Sequence, residues 1–308
     1  MPQNSALIEK AAFRSNRTNR TKLYRTVFFK KLLIFSFALI IKNMSMIKYF
    51  EDADTDFFFI FHTNCILVKT LTNAGGLADE LPDADIYKKC IDHQIAKDWF
   101  TEPQNRYAAM TLAEAQPLPK GYTWVPLRSL FASGHPAASL AARAAGIINW
   151  RQGTRFCSSC GGQLTDDKYD TARQCSLCGR EFFPSLSPCI IVLVKKDGKM
   201  LLARHLQRNS NVYTCLAGYM EPGETIEQCV EREVFEETGI KVKNIRYVKS
   251  QSWPFPDQLM IGCHADYDSG DIKVQQTEIQ EALWFSPDEL PAIPPPGSLA
   301  WELITGKI

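Results

Sequence analysis

The sequence predicts an α/β protein: a mixed α/β domain over 185–308, a Cys-rich module over 151–184 and a small α+β domain over 46–150. Three observations carry this prediction. Strand-like runs bracket a Gly-flanked helical pattern after Ser187, the alternation that argues a mixed sheet with helices against it. Two C-x2-C pairs stand fourteen residues apart ahead of that pattern. Short apolar runs followed by an Ala-rich helical stretch fill the region before them.

The 308 residues allow about two domains plus a small module. Hydrophobic residues at 45% and charged residues at 22% exclude disordered, collagen-like and multi-span membrane chains. The net charge of +1 hides an asymmetry: residues 1–48 hold ten basic side chains and one acid, Glu9, which leaves about +9 there and about −8 in the rest. A mildly acidic body does not suit a broad duplex-binding face.

The segment 1–45 is read apart from the rest. Arg14, Arg17, Arg20, Lys22, Arg25, Lys30 and Lys31 lead into the apolar run Leu32 to Ile41. Ten apolar residues fall short of the roughly 20 that span a bilayer, so no stable membrane insertion is expected. No small-x-small cleavage site follows. The stretch is either an over-long start, with Met44 or Met46 as the true one, or a dispensable tail; organelle targeting and anchoring stay open.

Between 46 and 150, Phe57 to Phe61, Cys65 to Val68 and Thr123 to Pro126 read as strands, and Ala137 to Ile148 as a helix. No cluster of His, Cys or carboxylates spaced for chemistry occurs there, and no internal repeat is evident along the chain.

Cys157, Cys160, Cys175 and Cys178 make C-x2-C, fourteen residues, C-x2-C. Each pair can offer two thiolates to one ion from a tight turn, which predicts one structural, four-sulfur Zn2+ per chain. The acidic neighbours Asp166, Asp167 and Asp170 do not make a basic nucleic-acid patch. The other six cysteines are scattered, as in buried thiols of a reducing compartment, so a cytoplasmic location is expected.

The stretch Gly218 to Ile240 is the most informative. Pro222-Gly223 reads as a turn, Thr225 with Gln228 as a capping box, and Gly239 as the C-terminal stop. Ile226, Val230 and Val234 form the buried stripe. Glu233, Glu236 and Glu237 crowd a neighbouring face, where like charges repel. A divalent cation offsets that repulsion, and oxygen-only ligands suit Mg2+ or Mn2+. The bland alternative is a solvated acidic face; Arg232 inside the cluster and the full pattern G-x5-E-x7-R-E-V-F-E-E-x-G-I speak against it.

This pattern resembles the Nudix box at every defining position. The resemblance implies an α/β/α sandwich that hydrolyses nucleoside diphosphates linked to another group X. By analogy Glu233, Glu236 and Glu237 hold the catalytic metals and Arg232 orients the glutamates.

Downstream lies Ser250-Gln251-Ser252-Trp253-Pro254-Phe255-Pro256-Asp257-Gln258. Read physically, this is either a rigid apolar wall that could stack a base or a nicotinamide ring, or an ordinary aromatic core patch. It resembles the S-Q-P-W-P-F-P-x-S signature of NADH pyrophosphatases, the Nudix subfamily with a four-cysteine zinc ribbon before the catalytic domain. Ser252 and Gln258 depart from that signature, where a proline and a serine are expected.

The same resemblance matches Glu278 to a further metal-contacting glutamate, and Ala217 and Ala300 to backbone contacts with substrate. Asp170, Phe183 and Arg128 fall at substrate-contacting positions, and Tyr219 stands where an aromatic sandwiches the ring. Gln251, Trp253, Pro254, Phe255, Pro256 and Asp257 complete the expected substrate loop. The resemblance further implies a homodimer and, as substrates, NADH or NAD+ cleaved to nicotinamide mononucleotide and AMP, with NAD-capped RNA 5′ ends second. Other dinucleotides or ADP-ribose, and a non-catalytic zinc-ribbon RNA-binding or nucleotide-sensing protein, are the competing readings.

Overall fold

The structure, a computed structural model, describes residues 55–70, 80–93, 96–113, 119–167, 170–206 and 211–308. The expectations for 1–45 lie outside the described residues. Among the described residues no helix is long and apolar enough to cross a membrane.

The first sheet draws on β1 (Phe57–His62), β2 (Cys65–Lys69), β3 (Ala96–Glu102), β4 (Tyr107–Leu112) and β5 (Tyr122–Pro126), in the order β3-β4-β1-β2-β5. β1 and β4 run parallel and the other neighbours antiparallel. Helix α1 (Ala84–Asp92) sits between β2 and β3 in sequence, and α2 (Arg128–Ala132) and α3 (Ala138–Gly153) follow β5. Alternation in β1 assigns the two faces. Phe59 and Phe61 join the buried alanines of α3, whereas Phe58 meets Tyr87 of α1 with ring centroids 5.5 Å apart. Small residues let α3 lie close to the sheet. β3, β4 and α1 were not expected from sequence: β4 is a buried, alanine-bearing strand without alternation, and β3 carries Lys97 and Asp98.

The ribbon is a three-stranded sheet of β6 (Leu164–Asp166), β7 (Arg173–Cys175) and β8 (Glu181–Phe182). A charged clamp fastens it to the first sheet. Arg151 on α3 pairs with Asp98 of β3 and Asp166 of β6, each at 2.9 Å, while Arg173 donates to Asp166 and to the Arg151 and Thr154 carbonyls. A second tie is Thr171, whose hydroxyl donates to the buried Glu102 at 3.1 Å.

The last sheet has the order β12-β13-β9-β10-β14, with β11 added beside β9. Its strands are β9 (Ser187–Lys196), β10 (Lys199–His205), β11 (Leu216–Tyr219), β12 (Lys241–Trp253), β13 (Gln258–Ser269) and β14 (Ile279–Phe285), and β9 and β13 are parallel. Ile190, Val192 and Val194 pack under α4 (Ile226–Thr238); Cys189, Ile191 and Leu193 pack under α5 (Leu299–Thr305). A buried face on each side of a mixed sheet is the α/β/α sandwich. Each fully buried aliphatic of these layers contributes roughly 1.5–3 kcal/mol.

Candidate active site and metal centre

Helix α4 begins and ends where its sequence dictates. The Thr225 hydroxyl accepts from the Gln228 N–H at 3.3 Å, and the Gln228 side chain accepts from the Thr225 N–H at 2.9 Å. Gly239 closes the helix at φ 74°, a left-handed conformation that suits glycine. Cys229, Val230 and Val234 turn to the sheet and Ile226 is half-buried.

The acidic face is organised by Arg232. Its Nε and Nη2 donate to the two oxygens of Glu224, at 2.5 and 2.9 Å. Nη1 reaches Glu233 at 2.8 Å and Glu236 at 3.2 Å, and Nη2 also donates to the Tyr219 carbonyl at 2.9 Å. One guanidinium therefore ties three carboxylates to the strand β11. The Arg232 guanidinium holds the Glu224 carboxyl down to about 2, so Glu224 stays ionised as a permanent counter-charge. Glu224 was not assigned a role from sequence, although the first Glu of the spaced pattern marks it.

Glu237 is different. Its side chain is 2% exposed, and its Oε2 is buried without a hydrogen-bond partner. Burial, then the charges of Glu233, Glu278 and Glu236, push its carboxyl up to about 8. Burial also raises Glu233. A buried orphan oxygen amid like charges is costly unless a cation is supplied, so these residues fit a hard divalent ion. Glu236 is 52% exposed, and Glu278 is exposed in the turn before β14. The four glutamates are not drawn together as tightly as the thiols: among the described residues, only the four cysteines bring their ligand atoms within 4.8 Å of one another.

Gly218 was also overlooked as a working residue. A Cβ there would lie 1.9 Å from the Glu233 carboxyl carbon, so the missing side chain is the space that Glu233 occupies over β11. The opening glycine of the spaced pattern was the available signal.

The sulfurs of Cys157 and Cys178 are 3.7 Å apart and those of Cys160 and Cys175 are 3.5 Å apart. A tetrahedral ion with metal–sulfur bonds of about 2.3 Å separates its sulfurs by about 3.8 Å, so the four thiols form a group that can hold one metal ion. Backbone N–H groups of Cys178 and Leu177 draw the Cys175 thiol down, toward the thiolate that a metal needs, whereas the neighbouring thiols hold Cys160 up.

The aromatic segment is the end of a hairpin: β12 runs through Trp253, β13 begins at Gln258, and Trp253 pairs with Gln258. Pro254, Phe255, Pro256 and Asp257 form the turn, with a cis Phe255–Pro256 bond. Trp253 and Phe255 meet edge to face at 5.0 Å, Phe131 of α2 lies 5.7 Å from Trp253, and the Arg128 guanidinium sits 5.7 Å over the Phe255 ring. Trp253 and Phe255 are half-buried, so each packs on these neighbours and keeps part of its ring surface exposed. Ser252 is exposed. Gln251 braces α5: it donates to the Gly297 carbonyl and accepts from the Leu299 N–H, both at 2.8 Å. Ala300 is buried in α5 and Ala217 half-buried in β11.

Tyr219 and Gln258 are brought together by a 2.6 Å hydrogen bond from the Gln258 amide to the tyrosine hydroxyl. Asp170 accepts from the Thr171 N–H in a turn, and no ring contact joins the 54% exposed Phe183 to Trp253 or Phe255 among the described residues.

Residues 186–303 match the family model described as NUDIX domain, and residues 55–150 match one described as NADH pyrophosphatase-like rudimentary NUDIX domain. The chain is 47% identical over 169 residues to proteins named NAD-capped RNA hydrolase NudC from Shigella flexneri and Escherichia coli K12. That match covers 55% of this chain and 66% of each relative, just under two thirds of their length. Among solved structures, a NUDIX hydrolase from Nitrosomonas europaea is similar at 27% identity, over 45% of this chain and 81% of that one, with a TM-score of 0.40. With the spaced box on α4, the four-cysteine ribbon and the two family-model matches over 186–303 and 55–150, the chain belongs to the Nudix hydrolase family.

Proposed function

We propose that the chain hydrolyses the pyrophosphate bond of NADH or NAD+ to nicotinamide mononucleotide and AMP, and also removes NAD caps from RNA 5′ ends. The single observation that carries the reading is the buried, orphaned Glu237 oxygen beside an Arg232-clasped carboxylate face. The relatives named NAD-capped RNA hydrolase, and the NADH pyrophosphatase-like match over 55–150, support the choice of substrate.

Glu233, Glu236, Glu237 and Glu278 hold Mg2+ or Mn2+ in this reading. A divalent ion held there would supply charge neutralisation at the phosphoryl oxygens and a lowered pKa for the attacking water. Arg232 keeps Glu233 and Glu236 aimed, and Glu224 neutralises Arg232 without competing for the ligands. Water attacks one phosphorus, the bond to the bridging oxygen breaks, and a carboxylate of the cluster takes the proton. Trp253, Phe255 and Tyr219 offer ring faces, and Arg128 a cation, to the rest of the dinucleotide; Asp170, Phe183, Ala217 and Ala300 are the further contacts.

The four thiolates hold one Zn2+ that stabilises the ribbon and takes no part in chemistry. The protein works as a cytoplasmic homodimer, and a second copy would cover the exposed Leu177, Phe183 and Leu186. Product chromatography after incubation with NADH and Mg2+ or Mn2+ tests the function: reduced nicotinamide mononucleotide and AMP are expected. Products only from ADP-ribose or other dinucleotides would move the substrate assignment. No turnover of any of them by folded, zinc-loaded protein would leave a nucleotide-sensing role.

A further inference from the structure

Gln258 departs from the serine of the signature that the segment resembles, and its side chain does something a serine could not. It opens β13, opposite Trp253 on β12 and Ser187 on β9, and its Nε2 reaches across β9 to the hydroxyl of Tyr219 on β11 at 2.6 Å. A serine hydroxyl sits directly on Cβ and lacks that reach. Tyr219 is 50% exposed at the end of its strand, so an untied ring there would be free to change rotamer. It is instead tied at both ends. Its carbonyl accepts from Arg232, the residue that also clasps Glu224, Glu233 and Glu236, and its hydroxyl accepts from the first residue after the aromatic turn.

We propose that Gln258 is a positioning residue that presets the Tyr219 ring as a stacking platform for a heteroaromatic ring of the dinucleotide, an inference that rests on the NAD(H) reading above. A ring fixed before binding need not be ordered during it, which favours affinity over chemical rate. Because the Gln258 amide donates, the tyrosine keeps its own proton for an acceptor on the substrate. The bond also couples residue 258 to residue 219: Gln258 loses its effect when the Tyr219 hydroxyl is gone.

The test is a double-mutant cycle on the full chain with Gln258→Met, which keeps length without a donor, and Tyr219→Phe. Steady-state NADH hydrolysis is measured beside calorimetric binding of nicotinamide mononucleotide and of AMP, and a thermal melt confirms the fold of each variant. Each single change is expected to raise KM, and the Kd of one mononucleotide, roughly two- to tenfold, with kcat within about twofold. The double variant is expected to be no worse than Tyr219→Phe alone. Independent, multiplying effects, an unaltered KM and Kd in Gln258→Met, or a loss carried by kcat would overturn the inference. A wild type that fails to turn over NADH while the coupling persists in mononucleotide binding would sink the hydrolase reading and leave the Gln258–Tyr219 unit standing.

Discussion

The two large sheets of this chain have the same strand order, and only one of them lies under a helix with the Arg232-clasped carboxylate face. β3-β4-β1-β2-β5 and β12-β13-β9-β10-β14 share one parallel pair in the same place, β4 with β1 and β13 with β9, and antiparallel neighbours elsewhere. Each has a helix between its second and third of these strands, α1 or α4, and another after its last, α3 or α5. Phe58 meets Tyr87 of α1 on one face of β1 and Phe59 meets α3 on the other, as Ile190 and Ile191 divide between α4 and α5. The difference lies in the helices. Where α4 reads Arg-Glu-Val-Phe-Glu-Glu, α1 carries Tyr-Lys-Lys-Cys. One sheet topology thus positions a helix, and the residues on that helix decide whether it can hold a cation.

The contrast can be attacked at several points, beginning where the expected effect is greatest. Cys157→Ser should strip the ribbon of its metal and its fold, because structural zinc contributes on the order of 10 kcal/mol to such modules. Metal analysis is expected to fall from about one zinc per chain to almost none; a variant that stays fully folded without metal would refute the structural assignment.

Gly218→Ala comes next. The new methyl must displace the Glu233 carboxylate, so turnover is expected to drop roughly 100-fold, in line with the loss of one preorganised group, while the melting temperature moves little. A variant within twofold of wild-type kcat would show that Glu233 need not lie over β11.

The smallest effect concerns the silent half. Burial opposes ionisation of Glu102, but Arg143 with help from Asn105 holds its carboxyl down to about 2, below its ordinary 4.5. A depressed carboxyl contributes stability that is whole above pH 4.5 and fades as the pH falls toward 2. The gap in melting temperature between wild type and Glu102→Gln should therefore narrow steadily on acidification below pH 4.5. A gap independent of pH would mean that the ion pair is not what distinguishes them.

Much of the active half could be read from the sequence, since its signals are local. Thr225, Gln228 and Gly239 fix the ends of α4 through contacts three or four residues apart, and the four cysteines declare their site by spacing. The matching strand orders could not be read, because strand pairing is non-local and β3 and β4 hide their period. β4 is buried on both faces and β3 interrupts its apolar residues with Lys97 and Asp98. For the same reason the sequence did not reveal that Arg128 covers Phe255, or that Gln258 reaches Tyr219 two strands away. For the aromatic segment the sequence leaves wall and core patch open, because the partners that half-bury its rings, Phe131 and Arg128, lie more than a hundred residues away in the chain.

The most direct test of the account compares wild type, Glu237→Gln on α4 and the double change Asp85→Asn with Lys89→Ala on α1, each given NADH with Mg2+ or Mn2+. Wild type and the α1 variant are expected to release reduced nicotinamide mononucleotide and AMP at rates within about twofold, and Glu237→Gln to be slower by about a thousandfold or more. Undiminished turnover in Glu237→Gln, or a comparable loss in the α1 variant, would contradict the claim that the chemistry resides in one of the two helices alone.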